Sequence, residues 1–203
     1  MPERRFLQAH TPAYKRRINQ IRPRQRILIV CEGEKTEPNY FRHFPLPSDS
    51  IVEVQGVGAN TVGLVEEALR LRKGARYDQV WCVFDRDSFP PENFNAALQL
   101  AEYNNIRVAY SNEAFELWYV LHFDYLDTGI SRADYKTSLN ERLGHKYEKN
   151  SESMYAEIYK RQPDAIRNAK RLLAQYNPTN PVSDNPSTTV HLLVEQLNRL
   201  FWK

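Results

Sequence analysis

The sequence predicts an α/β fold: a parallel sheet of about four strands flanked by helices, followed by a C-terminal helical extension. Two continuous apolar runs, Ile27–Cys31 and Gln79–Asp85, are typical of strands buried on both faces. Segments with helical spacing alternate with the strands, which implies parallel pairing through right-handed crossovers. Farther along, the strand signal disappears. The 203 residues therefore divide into a basic N-terminal arm (1–25), an α/β core (26–125) and a helical extension packed on the core (126–203).

The elements of the core follow in a regular order. They are predicted as strand Ile27–Cys31, a helix over about Thr36–Phe44, strand Ile51–Val54, a helix from Thr61 to near Gly74, strand Gln79–Asp85, a helix over about Glu92–Tyr103, and strand 106–111. Asn60 or Thr61 is a suitable N-cap for the second helix. The next helix, EAFELWYVLHF, is expected to start directly after Ser111 and Asn112, which are good capping residues. Ser187 and Thr188 are expected to cap the last helix in the same way.

Composition excludes several classes of protein. A hydrophobic content of 41% rules out wholesale disorder. No segment approaches the roughly 20 apolar residues of a membrane span, and the first residues lack the apolar core of a secretory signal. Cys31 and Cys82 both fall in predicted core strands, so no disulfide framework is expected. These features predict a cytoplasmic protein with no membrane association; the sequence also allows a homo-oligomer.

The charge is distributed unevenly. Residues 1–26 carry eight basic side chains against one acid, although the net charge of the whole chain is only +3. A basic arm of this kind favours contact with a polyanion or an acidic partner surface. Arg22 and Arg24 are therefore candidate substrate-binding residues. The alternative is a solvated leader with no specific role.

Acidic residues follow two of the core strands. Glu32, next to Gly33, ends the first strand, and Asp85 and Asp87 end the third. In doubly wound sheets these strands are often neighbours, and ligands bind at their carboxyl ends. Carboxylates that meet there need a cation or a shared proton, and oxygen ligands select Mg²⁺ or Mn²⁺. The alternative is a turn and a helix cap at the aspartates and a solvated charge at Glu32.

Further candidates surround this set. Glu37 is either an additional metal ligand or an acid that favours the helix dipole. Glu113 and Glu116, three apart on one predicted helical face, are either further ligands or, for Glu113, a helix N-terminal acid.

Three cations near the acids could stabilise phosphate charge or bind substrate. Lys35 is a candidate to neutralise charge on a reacting phosphate, or else an exposed lysine. Arg42 and Arg86 are candidate substrate contacts because they lie close to the acids in sequence. The glycine turn around Gly56 and Gly58 lacks the Lys-Ser/Thr of a P-loop, so ATP hydrolysis by this chain is not expected.

Four stretches, in order, carry a family resemblance. ILIVCEGEKTEPNYF, VFDRDSF, SNEAFELWYVLHF and NPSTTVHLLVEQL resemble the signature stretches of RloB-like proteins over about residues 26–197. A strand ending in Glu-Gly and a later one ending in Asp-x-Asp resemble the Toprim domain of OLD-family and PARIS-type nucleases. The resemblance implies a Toprim fold with Glu32, Asp85 and Asp87 as the acidic metal-binding set. It also implies a role in bacterial antiphage defence by abortive infection, beside an ABC/SMC-like ATPase partner.

The expected function is phosphodiester cleavage of nucleic acid, DNA or RNA including tRNA, by a site that uses Mg²⁺ or Mn²⁺. Glu32, Asp85, Asp87 and Lys35 are the expected catalytic residues, with Glu37, Glu113 and Glu116 as further candidate ligands. One alternative is a non-catalytic regulatory or nucleic-acid-binding subunit of an ATPase complex. Another, nucleotidyl transfer as in primases, lacks the zinc-binding or helicase-like region that would accompany it.

Overall fold

The computed structural model describes residues 25–87 and 90–201, and these form one sheet with helices on both faces. The strands are β1 (Gln25–Cys31), β2 (Ser50–Gly56), β3 (Gln79–Asp85), β4 (Arg107–Asn112) and β5 (Ser187–Thr188). The helices are α1 (Thr36–Arg42), α2 (Thr61–Arg72), α3 (Pro91–Tyr103), α4 (Glu116–Val120), α5 (Arg132–Leu143), α6 (Met154–Ile158), α7 (Gln162–Leu173) and α8 (Val190–Phe201). None of the described helices is long and apolar enough to span a membrane.

The sheet confirms the predicted α/β class. Its strand order is β2-β1-β3-β4-β5, and the first four strands are parallel, as in Rossmann-like folds. Strands β1 and β3 are direct neighbours, with Cys31 opposite Val83 at their carboxyl ends. The order reverses between β1 and β3, so the chain has its switch point where the acidic residues leave the sheet.

The fifth strand was not predicted. Ser187 and Thr188 pair antiparallel with Asn112 and Ser111. The expectation that they cap the last helix was wrong for Ser187, whereas the Thr188 hydroxyl accepts from the backbone N–H of Val190, the first residue of α8, at 3.3 Å. The Ser187 hydroxyl donates to the Asp184 carbonyl at 2.7 Å, and the Thr188 hydroxyl donates to the Tyr110 carbonyl at 3.0 Å. The short strand thus satisfies the edge of β4 that would otherwise have no partner.

The start of α4 was also predicted wrongly. Ser111 and Asn112 belong to β4, and the helix begins at Glu116. Their side chains are engaged across the sheet edge: the Asn112 amide donates to the Asp184 carbonyl at 2.9 Å, and the Ser111 hydroxyl bonds that of Thr188 at 2.9 Å. Glu113 therefore precedes the helix, and it does not share a helical face with Glu116.

Two apolar layers cover the sheet. Helices α2 and α3 pack on the face that carries Leu28, Val30 and Cys82. The opposite face, with Ile27 and Ile29, lies under α1, α4 and the helices that follow residue 130. The second layer has one continuous cluster of buried side chains from both parts of the chain, since Trp118 of α4 and Leu193 of α8 belong to it. The helices after residue 130 consequently have a fixed position relative to the carboxyl ends of β1 and β3.

Candidate active site

Glu32 and Asp85 lie side by side at the carboxyl edge of the sheet. The backbone N–H of Glu32 continues the ladder to the Val83 carbonyl at 2.9 Å. In return, the Glu32 side-chain oxygen Oε2 accepts from the backbone N–H of Asp85 at 3.1 Å. The sheet register therefore brings together two acids that are 53 residues apart in the sequence.

Asp87 shares a cation with Asp85. The guanidinium nitrogen Nη2 of Arg132, from the first turn of α5, is 3.5 Å from Asp85 Oδ2 and 3.8 Å from Asp87 Oδ2. The side chain of Asp85 is only 15% exposed, whereas that of Arg132 is 44% exposed. Both aspartates thus face one place, and a cation from the helical extension occupies it.

Two more carboxylates face the same cleft. Glu37, on α1, is 6% exposed, and its carboxylate lies against Gly33, where an added Cβ would be 2.2 Å from Glu37 Oε2. Glu116, at the start of α4, accepts from the Tyr147 hydroxyl at 3.2 Å. These acids border a cleft of about 450 Å³ together with Asp85, and Lys35 and Lys149 lie at its rim.

The five acids Glu32, Glu37, Asp85, Asp87 and Glu116 form what we name the carboxylate cluster. Burial opposes the ionisation of three of them, Glu32, Glu37 and Asp85. Burial raises the pKa of Glu32 to about 7, and the charges of Asp87 and Glu37 act in the same direction. Burial also raises the pKa of Asp85 well above its usual range, with repulsion from Glu37 and Glu116 adding to it. Burial and Glu116 likewise raise the pKa of Glu37, although Lys149 partly offsets this. Burial is therefore the first cause of the raised pKa values, and repulsion among the acids adds to it.

The chemistry of this donor set fits a hard divalent cation, because every candidate ligand is a carboxylate oxygen. Its arrangement is not yet that of a loaded site. Within residues 25–87 and 90–201, no group of three or more His, Cys, Asp and Glu side chains is placed so as to hold a metal ion. Arg132 holds the two aspartates instead. Metal binding would require Arg132 to leave the aspartates and the carboxylates to rotate toward a common point.

The profile of the RloB-like proteins matches residues 27–197, from β1 into α8. The chain belongs to the RloB-like family. The match includes the carboxylate cluster, helix α5 with Arg132 and the loop with Lys149. Neither a curated protein nor a solved structure matches the chain significantly.

The other residues proposed from the sequence lie around this RloB-like site at different distances. Lys35 is exposed at the rim of the cleft. Glu113 borders a smaller cleft on the side of Asp87, and its carbonyl, not its carboxylate, accepts from Arg132 at 3.4 Å. Arg42 is exposed and donates to the Val54 carbonyl of the edge strand at 3.1 Å, away from the cleft lining.

Arg86 bonds backbone carbonyls, and the two candidate arginines of the N-terminal arm lie outside the described residues. The Arg86 guanidinium donates to the Val182 carbonyl at 3.2 Å and to the Asp87 carbonyl, and it lies over the Phe94 ring. These contacts fix the Arg86 side chain against residues outside the cleft lining. Arg22 and Arg24 lie outside the described residues of this RloB-like chain.

The sequence did not single out the cations that the helical extension supplies. A second cleft is bordered by Arg132, Lys136, Lys146 and Lys149, and it shares Glu116, Lys149 and Asn150 with the first. No periodic or spacing signal marks these four cations, since they come from one turn of a polar helix and from a loop. Their proximity to the acids depends on how the extension of the RloB-like fold packs.

The turn between the first two strands shapes the cleft, and Gly56 permits it. A Cβ at Gly56 would lie 2.6 Å from the Gly33 carbonyl oxygen and 2.7 Å from the Cα of Glu34, both backbone atoms. Gly56→Ala should therefore lower the free energy of unfolding by about 1–3 kcal/mol, because backbone must move to relieve the overlap. Urea unfolding measures this change. Gly74→Ala is the matched control, since its closest contact would be 3.3 Å, and equal stability of the two variants would contradict the prediction.

Proposed function

We propose that this RloB-like protein is a Toprim-type nuclease that cleaves phosphodiester bonds of nucleic acid with the help of Mg²⁺ or Mn²⁺. The observation that carries the proposal is the convergence of Glu32 with Asp85 and Asp87 at the switch point of the sheet. Acids buried against mutual repulsion reduce stability, and such arrangements concentrate at functional sites. In the cytoplasm, the protein would act as an effector of antiphage defence with an ABC/SMC-like ATPase partner.

Each side chain of the site has a role in this proposal. Asp85 and Asp87 would hold the cation in place of Arg132, with Glu37 and Glu116 completing its surroundings. The bound ion would activate a water and neutralise charge on the phosphate. Glu32, whose pKa is raised to about 7 by burial, would hold or release a proton near neutral pH. Lys35 at the rim and Arg132, once it has left the aspartates, would contact the non-bridging phosphate oxygens.

The proposal predicts cleavage of at least one nucleic acid in the presence of Mg²⁺ or Mn²⁺ and none in EDTA. Plasmid DNA, single-stranded DNA and tRNA should be incubated with wild type, Asp85→Ala and Asp87→Ala. Each aspartate replacement should reduce the rate at least about 100-fold, since even residues that only support metal ligands are worth about 10–100-fold. Asp49→Ala is the matched control, because Asp49 is exposed in the loop before β2, at the opposite edge of the sheet. Equal cleavage by wild type and both aspartate variants would reject the assignment.

A second function is favoured by Arg132. Its contact with Asp85 and Asp87, together with the absence of an assembled ligand group in the described residues, suits a nucleic-acid-binding or regulatory subunit without turnover. In that case no metal should support cleavage of any of the three substrates. Mn²⁺ should also fail to raise the melting temperature, because an ion that does not bind the folded state does not stabilise it.

A further inference from the structure

The helical extension places four basic side chains in one cleft. This cleft, of about 390 Å³, is bordered by Arg132 and Lys136 of α5 and by Lys146 and Lys149 of the loop that follows. We name it the lysine groove. Glu116 and Glu148 also border it, so positive side chains outnumber negative ones by two to one. All four cations are exposed.

The lysines of this groove form no direct ion pair in the part of the chain that the structure describes, although the charge of Lys149 acts on Glu37 and partly offsets the rise in its pKa that burial causes. Several other basic residues are paired, as for Arg26 with Glu53, Arg142 with Asp124 and Lys170 with Glu195. No ion pair of the described residues includes Lys136, Lys146 or Lys149. Arg132 and Lys136 are also four apart on one helix, where like charges repel. The groove therefore holds cations whose mutual repulsion an anion would relieve.

The groove is held at the carboxylate cluster by specific hydrogen bonds. The Thr36 hydroxyl of α1 donates to the Lys149 carbonyl at 2.7 Å, and the Asn39 amide donates to the Asn150 carbonyl at 3.0 Å. Between these lysines, Tyr147 is 3% exposed, and its hydroxyl bonds Glu116. These contacts bind the loop to the helix that carries Glu37. The groove thus opens directly onto the cleft of the carboxylates.

We propose that the lysine groove binds the phosphodiester backbone of a nucleic-acid strand and directs it toward the carboxylate cluster. That the nucleic-acid strand is directed toward the carboxylate cluster rests on the proposed function, whereas its binding to the groove does not. The point charges of the groove lysines suit the regularly spaced charges of a phosphate backbone. Because contacts to phosphate do not recognise particular bases, binding is expected to be independent of sequence. DNA and RNA share this backbone chemistry, and the experiment distinguishes them.

The test compares the salt dependence of binding in EDTA, where no cleavage can occur. Full-length wild type and Lys136→Glu/Lys146→Glu/Lys149→Glu are titrated against labelled oligo(dT) and oligo(U) of about 20 nucleotides, from about 50 to 200 mM salt, by fluorescence anisotropy. Loss of three contacts to a single strand should reduce the slope of log K against log[salt] by about 2 and weaken binding about 100-fold at 0.1 M salt. The ratio of the two affinities shows which nucleic acid the groove prefers. The basic N-terminal arm is the same in both proteins, so the difference reports the groove.

The control carries the same change of charge elsewhere. Lys73, Arg76 and Lys160 are exposed, and their triple replacement by Glu should leave the slope within about one contact of wild type. Equal slopes for wild type and the groove variant would overturn the proposal. So would tighter binding of a labelled polyaspartate than of both oligonucleotides, which would indicate an acidic protein partner. If wild type cleaves and the groove variant has an unchanged KM, the groove proposal is rejected and the nuclease proposal stands. If the groove binds nucleic acid as expected but no metal supports cleavage, the nuclease proposal is rejected and the groove proposal stands.

Discussion

Asp85→Asn is expected to make the metal-free protein more stable while abolishing its response to Mn²⁺. The Asp85 carboxylate is buried against the charges of Glu37 and Glu116, which raise its pKa well above the usual range together with burial. An amide of the same shape removes both the desolvated charge and the repulsion. At pH 8 in EDTA, the free energy of unfolding should rise by about 1–2 kcal/mol, which corresponds to about 2–4 °C in melting temperature for each kcal/mol.

The lost ion pair with Arg132 does not reverse this expectation. The closest contact is 3.5 Å, and the Arg132 side chain is 44% exposed. Pairs of this kind contribute about 0–1 kcal/mol. A structural acid behaves in the opposite way, because replacing it removes a favourable contact and lowers stability. The sign of the change therefore distinguishes a site kept for binding from one kept for the fold.

Metal binding gives the second measurement. Mn²⁺ should raise the melting temperature of wild type, since an ion that binds only the folded state stabilises it, and Asp85→Asn should show no such rise. Asp164→Asn is the control, because Asp164 pairs with Arg167 within one surface helix and lies outside the cleft. A variant at Asp85 that is less stable than wild type and is still stabilised by Mn²⁺ would show that this residue serves the fold.

The core strands could be predicted because burial on both faces leaves a continuous apolar run. Residues Ile27–Cys31 are at most 1% exposed, and this run gave both the strand and the position of Glu32 at its end. The adjacency of Glu32 and Asp85 then followed from the topology of doubly wound sheets. These inferences use properties that each segment carries in its own sequence.

The errors arose where distant segments compete for the same groups. Ser111 and Asn112 have the chemistry of helix caps, but the β5 segment, more than 70 residues later, pairs with them. A strand of two residues, Ser187–Thr188, is too short for any periodicity to reveal. Tertiary pairing therefore overrode local preference at this edge of the sheet.

The cations of the site were missed for a related reason. Arg132 is separated from Asp85 and Asp87 in the sequence by the whole of α3, β4 and α4. Nothing in the letters SRADYKTSL marks it as an ion-pair partner of those acids. Sequence proximity instead suggested Arg42 and Arg86, whose guanidinium groups bond backbone carbonyls of Val54 and Val182. An acid cluster on a sheet predicts that cations are needed, but only packing decides which elements supply them.

The metal-free protein is expected to lose stability as pH rises, and Glu32 should account for a measurable part of that loss. Its pKa is raised from 4.5 to about 7, first by burial, and further by the charges of Asp87 and Glu37. Because the folded state holds this proton more tightly than the unfolded state, the contribution is fully present below pH 4.5 and is lost as pH rises through 7. The backbone N–H of Asp85 and the charge of Arg132 oppose the shift without cancelling it.

Glu32→Gln isolates this contribution. From about pH 5 to pH 8, the free energy of unfolding of the variant should rise by about 2 kcal/mol relative to that of wild type. This value allows for solvent screening, because Glu32 is only partly buried. Urea unfolding in EDTA across this range measures it. Glu152→Gln, which makes the same change at an exposed position, is the matched control.

Mn²⁺ should restore at pH 8 the stability that ionisation of Glu32 removes, since a cation stabilises the charged form of the carboxylates that surround it. Binding near pH 6.5 should also release protons from wild type, and release fewer from Glu32→Gln, which calorimetry in two buffers of different ionisation enthalpy detects. Two results together would place Glu32 outside the metal site. The first is a difference in free energy of unfolding between wild type and Glu32→Gln that is the same at pH 5 and pH 8, and the second is Mn²⁺ binding by wild type without release of protons. The aspartates alone would then have to hold the ion, with Arg132 as its direct competitor.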